Sequence, residues 1–192
     1  MQQLMGANLL KFLDVISDQI ENLKKSIDMR QVAEFMDAIE RARKIFVMGA
    51  GRSGFVARAF AMRLMHLGYD VYVVGETVTP RIGKEDLLIT ISGSGETTSV
   101  VNISRKAKEE IGSMLAAITQ NKNSTLAKMS DVVVLLNGKS KHQKDDVLSS
   151  IAPLGTMFEL TALIFLDGLI AELMSIKNLT EKDLERRHAV LE

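Results

Sequence analysis

Five short apolar runs constrain this chain more than any other feature. Residues 44–48, 71–74, 87–91, 114–118 and 132–136 are each nearly continuous in apolar residues, with only Lys44 at the edge of the first and Thr90 inside the third as exceptions, rather than alternating in polarity. An alternating strand shows one face to water, whereas a continuous one is covered on both. The segments between most of the runs carry helical spacing, and a parallel pair needs such a crossover. The pattern predicts an α/β fold: a doubly wound five-stranded parallel sheet, flavodoxin-like in its order 2-1-3-4-5, with helices on both faces. With 192 residues the chain suits a single domain, residues 1–192, preceded by helices over residues 1–43. The first helix is expected over residues 4–27. The second runs from Asp28 to about Arg43, with Gln31 completing a capping box. Both are free to pack on a partner subunit. Later helices are expected to end at Leu67 before Gly68, to span residues 100–111 and 123–129, to run from Pro153 to Ile176, and to start at Thr180.

The third run passes directly into Ser92-Gly93-Ser94-Gly95-Glu96-Thr97-Thr98-Ser99. A single cap residue would satisfy a helix start. Four hydroxyls among Ser92, Ser94, Thr97 and Thr98, with two glycines, exceed that need and suit an anion held at a helix amino end. Glu96 fits only a helix-start role, because beside a phosphate it would repel. The first run enters a second glycine turn, Gly49-Ala50-Gly51-Arg52-Ser53-Gly54. In strand order 2-1-3-4-5 the first and third strands are neighbours at the switch point, so both turns meet at the expected ligand crevice.

The glycine turn also fits a dinucleotide fingerprint, with Glu76 where a ribose-binding acid would stand. A dinucleotide fold has no use for a second, hydroxyl-rich loop, however, and a small phosphorylated ligand between both turns explains more of the residues. Formal net charge is zero and only 5% of residues are aromatic, which argues against nucleic acid. The absence of cysteine excludes disulfides and thiolate metal sites. The most apolar stretch, residues 154–174, is broken by Glu159, Asp167 and Glu172, against a membrane span. No signal-peptide pattern opens the chain, and a cytoplasmic protein is expected.

The two turns, the helix 59–68, the segment 153–159 and the tail 187–192 together resemble the sugar isomerase (SIS) domain, and within it the 6-phospho-3-hexuloisomerases. The resemblance covers nearly the whole chain. It implies interconversion of 3-hexulose 6-phosphate and fructose 6-phosphate without cofactor or metal, in a homotetramer. That chemistry requires a base that removes a proton beside a carbonyl, a phosphate cradle, and a group that polarises oxygen.

Glu159 is the candidate base, set in an otherwise apolar helix whose surroundings would raise a carboxylate pKa. From the residues alone, an acid favoured by the helix dipole is an equal reading; the resemblance favours the base. His66, on an apolar helix stripe with Phe55, Ala59 and Met62, and His188, in the charged tail, are the candidate assisting residues. The tail is either solvated or reaches a neighbouring subunit's crevice. His142 is expected in solvent. The phosphate and substrate candidates are Gly51, Arg52, Ser53, Ser92, Ser94 and Thr97. Arg52 needs a reason to stand at a helix amino end, where its charge opposes the dipole. A sugar-phosphate-sensing regulatory module, or an isomerase of another phosphosugar, are the alternative functions.

Overall fold

The computed structural model describes residues 7–136, 152 and 155–191. The expectations for residues 4–6, for the loop 137–150 with His142, and for Pro153 lie outside the described residues. Five parallel strands, β1 (Ile45–Gly49), β2 (Val71–Val73), β3 (Leu87–Ile91), β4 (Met114–Thr119) and β5 (Val132–Leu135), form one sheet in the order β2-β1-β3-β4-β5. β1 is register-paired with β3 from Ile45↔Leu87 to Gly49↔Ile91, so the two strands end level with each other.

Successive residues of each strand feed opposite layers. Ile45, Val47, Leu87, Ile89, Ala116, Ile118, Val132 and Val134 face one layer of helices. That layer holds α1 (Ala7–Ser26), α2 (Met29–Arg41), α3 (Arg52–Leu67) and α6 (Thr156–Ile176). Phe46, Met48, Leu88, Leu115 and Ala117 face the other layer, with α4 (Thr98–Arg105) and α5 (Thr125–Met129). Phe35, Phe46 and Phe60 are almost wholly buried. Each contributes about 1.5–3 kcal/mol by burial relative to exposure. A final helix, α7 (Glu181–Glu185), follows α6 and opens with the Thr180–Asp183 capping box.

Several expectations change. α2 packs on its own sheet through Val32, Phe35, Ala38 and Ile39 rather than waiting for a partner. α1 is the one left partly uncovered, with Leu9, Leu10 and Leu13 exposed. Asp28 does cap α2, accepting from Arg30 N at 2.9 Å. Gln31 does not close the box; its side-chain Oε1 accepts from Leu135 N at 2.9 Å and so serves the edge strand β5. The helix expected over 100–111 starts at Thr98 and changes to π-helix over Lys106–Ile111. There the Gly112 N–H reaches back five residues to the Ala107 carbonyl, which Ser113 also uses. α6 starts at Thr156, after Gly155 in left-handed conformation at φ 75°.

Candidate functional site

The carboxyl ends of β1 and β3 place the two glycine turns side by side, as Gly49↔Ile91 pairing requires. β1 turns sharply into α3 through Gly51, at φ 56° and ψ −131°, a conformation that only glycine adopts without strain. Gly51 brings no side-chain cap, and Gly54 N donates back to the Gly51 carbonyl at 3.0 Å. β3 passes into α4 through Ser92–Thr97, and Thr97 stands at the cap position with no side-chain cap bond. α6 likewise opens without a side-chain cap at Gly155.

These three amino ends converge. The Arg52 Nε, on the first residue of α3, donates to Glu159 Oε2 in the first turn of α6. A Cβ on Gly93 would stand 3.0 Å from the Phe158 ring, so the serine loop and the start of α6 are in close contact. Elsewhere, Asp28, Ser124 and Thr180 cap α2, α5 and α7 with their own side chains. The three ends that lack a side-chain cap are the ones that meet, and aligned dipoles at helix amino ends favour an anion.

Within the loop the hydroxyls divide. Ser92 is buried; its oxygen accepts from Gly95 N at 3.2 Å and lies 3.3 Å from the Thr97 hydroxyl, which shapes the loop from inside. Ser94 is exposed at the mouth, where its hydroxyl accepts from Glu96 N at 3.2 Å. Ser53 is buried beneath the turn that it was expected to line. Glu96 serves a different helix start from the one expected: its carboxylate accepts from Thr125 N, at the opening of α5, at 2.7 Å.

Glu159 sits at the head of a groove of about 190 Å³ walled by Phe55, Val56, Ala59, Leu160 and Leu163. The apolar setting expected of it is present in the walls. At its outer oxygen the carboxylate meets a guanidinium instead. Its side chain is 13% exposed and that of Arg52 59%, so the pair looks into solvent through the arginine. Arg52 thereby has its reason to stand at a helix amino end: the carboxylate of α6 offsets the dipole.

The histidines lie apart from this cluster. His66 is fourteen residues along α3 from Arg52, about 21 Å at 1.5 Å per residue. The residue is 3% exposed, and its ring stacks on that of His188, with centroids 5.3 Å apart and 23° between planes. Burial, then the neighbouring His188 and Arg63 charges, push the His66 pKa below its ordinary value. The tail therefore folds back on its own α3, with the Arg187 guanidinium against Gly68. One copy of the chain does not bring His66 or His188 to Glu159.

The sequence reading missed the end of β4. Thr119 Oγ1 donates to the Gly93 carbonyl at 3.1 Å and Asn121 Nδ2 to the Ser94 carbonyl at 3.4 Å. β4 neighbours β3 in the order 2-1-3-4-5, and the polar run Thr119-Gln120-Asn121 after an apolar strand was the signal for it. Among the described residues no group of three or more His, Asp or Glu side chains is arranged to hold a metal ion, and no helix is long and apolar enough to cross a membrane.

The SIS domain family matches residues 38–164. A Methanocaldococcus jannaschii protein named 3-hexulose-6-phosphate isomerase is 43% identical over 95% of this chain and 98% of its own length. A Bacillus subtilis protein of the same name is 38% identical over 95% and 98%. A crystal structure from Methanococcus jannaschii, described as inferring a 3-hexulose-6-phosphate isomerase function, superposes with a TM-score of 0.83. It is 44% identical and covers 94% of this chain and 98% of that one. With the sheet order, the serine loop and the family match agreeing over the same residues, the chain belongs to the SIS domain family.

Proposed function

We propose that this protein is a phosphosugar isomerase that interconverts 3-hexulose 6-phosphate and fructose 6-phosphate through an enediol. The observation that carries the reading is the meeting of Glu159 and Arg52 with the serine loop at three uncapped helix ends. The names and near-complete coverage of the relatives supply the sugar. The phosphate sits in the loop 92–97, against the α4 amino end, with Ser94 and Thr97 as hydroxyl donors. Gly51 lets the sugar approach the α3 amino end, and the buried Ser53 and Ser92 keep the two turns in shape. Glu159 removes the proton from the carbon beside the carbonyl and returns it to the neighbouring carbon on the same face. Arg52 orients that carboxylate through Nε; its remaining donors, on a side chain open to solvent, face the oxygen that gains charge as the enediol forms. Phosphate binding, remote from the reacting carbons, positions them.

The protein works as a homotetramer in this reading. The exposed Leu9, Leu10 and Leu13 of α1, Phe55 and Met62 of α3 and Ile164 of α6 are apolar surface that a single copy leaves in water. A second copy is also the means by which His66 and His188, about 21 Å along the helix from Arg52, could reach the proton exchange between oxygens. The purified protein should equilibrate fructose 6-phosphate with its 3-keto isomer with no added cofactor. Absence of turnover in folded protein would overturn the assignment. Light scattering at micromolar concentration should give a tetramer, and a monomer would remove the shared-site part of the reading.

A further inference from the structure

The serine loop is the site's most polar element, yet it contains a carboxylate, Glu96, on a residue exposed to solvent beside the proposed phosphate position. Left pointing at that position, its charge would oppose the ligand at every pH where both are ionised. The structure turns it away. Glu96 Oε1 accepts from the backbone N–H of Thr125, the first residue of α5, at 2.7 Å, while its own N–H donates to the Ser94 hydroxyl at 3.2 Å. Glu96 therefore links the mouth hydroxyl of the cradle to the loop that follows β4. That loop already grips the cradle elsewhere: Gln120 N donates to the Gly93 carbonyl at 3.2 Å and Leu126 N to the Gly95 carbonyl at 3.1 Å. Thr119 and Asn121 add their side-chain bonds. Gly95, at φ 65°, presses on Ser124 so closely that no side chain fits there.

We infer that Glu96 is a positioning residue for the phosphate cradle: its carboxylate, bound to the start of α5, fixes the register of Ser94 and carries its own charge away from the ligand. The inference rests on the function proposed above. The bond with Thr125 also holds the carboxylate below the ordinary glutamate range, so the acceptor stays ionised at neutral pH. The usual intuition about an acid beside a phosphate is thereby reversed. If the acid acted as a repulsive charge, removing it would tighten binding; if it acts as a tether, removing it loosens binding.

Three variants separate these cases, read by inorganic phosphate titration and by steady-state kinetics on fructose 6-phosphate. Glu96→Ala should weaken phosphate binding and raise KM by roughly 3- to 10-fold, the range of one exposed hydrogen bond, with kcat little changed. Glu96→Gln, whose amide oxygen still accepts from Thr125, should restore both to within about twofold of the parent. Glu96→Lys adds an attractive charge but cannot accept, and should weaken binding as the alanine does. Circular dichroism and the unfolding midpoint establish that each variant is folded. Tighter phosphate binding by the lysine or alanine variant, or equal loss in Gln and Ala, overturns the tether. The phosphate titration does not need turnover, so an inactive parent protein would sink the isomerase reading while leaving Glu96 tested.

Discussion

The two ends of the sheet use the same residue types to opposite purposes. At the amino ends of the strands, polar groups are closed on one another. Asp86, whose side chain is wholly buried, accepts from Gly83 N at 2.7 Å and lies 3.0 Å from the Arg43 guanidinium. Asp131 accepts from Leu115 N at 2.9 Å and pairs with Lys108. At the carboxyl ends, three helices start without side-chain caps and the Arg52–Glu159 ion pair opens to solvent through Arg52. One end holds its charged groups in contacts within the chain; the other, in the proposed function, leaves helix amino ends without side-chain caps for the phosphate. A missing cap costs about 0.5–2 kcal/mol, so under the proposed function the open end is where stability is given up for binding.

The comparison breaks most visibly at Glu159. Glu159→Gln keeps the shape and removes the base, and turnover should fall by about 10²–10⁴-fold with KM and the unfolding midpoint nearly unchanged. Near-normal turnover would place the chemistry elsewhere. Asp86→Ala is the mirror case. It leaves Gly83 N without its acceptor and Arg43 with only its longer pairing to Glu85 at 3.5 Å, which should cost about 2–4 kcal/mol of stability, discounted because Arg43 is half-exposed. Chemical denaturation measures that loss, while kcat and KM below the new midpoint should stay at parent values. A KM effect there would show that the two ends are coupled.

Ser94→Ala sharpens the open end. Substrate and phosphate binding should weaken by about 1.5–3 kcal/mol, the scale of a hydrogen bond to a charged group, with no loss of stability. Unchanged KM and unchanged phosphate inhibition would remove Ser94 from the site. The smallest effect on stability is expected at His66, on the closed side of its own copy. Its folded-state pKa is depressed by burial, with His188 and Arg63 adding to it. As pH falls below the ordinary histidine value of 6.5, the unfolded chain takes up a proton that the folded one refuses. Stability should therefore decline as pH falls from about 7 toward 5. His66→Asn should flatten that part of the profile; an unchanged slope would assign it to other groups.

Most of the fold was legible because continuous apolar runs admit few arrangements. The adjacency of the two glycine turns followed from the strand order, and Glu159 and Arg52, named separately, turn out to be partners. Other features were not legible. The Gln31 side chain had a local partner available to it, and a strand more than a hundred residues away took it instead. Glu96 serves α5 rather than α4, a choice set by the packing of β4 beside β3. The stacking of His66 on His188, some fourteen residues along α3 from Arg52, was not legible either, because position along a helix axis leaves no mark in its periodicity.

The central claim is that a carboxylate at the open end moves a proton between two carbons of a phosphosugar. Fructose 6-phosphate incubated with the protein in deuterated water, and followed by NMR, tests it directly. The account predicts deuterium at C3, the carbon whose proton leaves when the carbonyl moves from C2 to C3, and loss of that exchange in Glu159→Gln. Deuterium at C1 would mean an aldose-forming reaction instead. Exchange at C3 that persists at the parent rate in Glu159→Gln would contradict the assignment of the base.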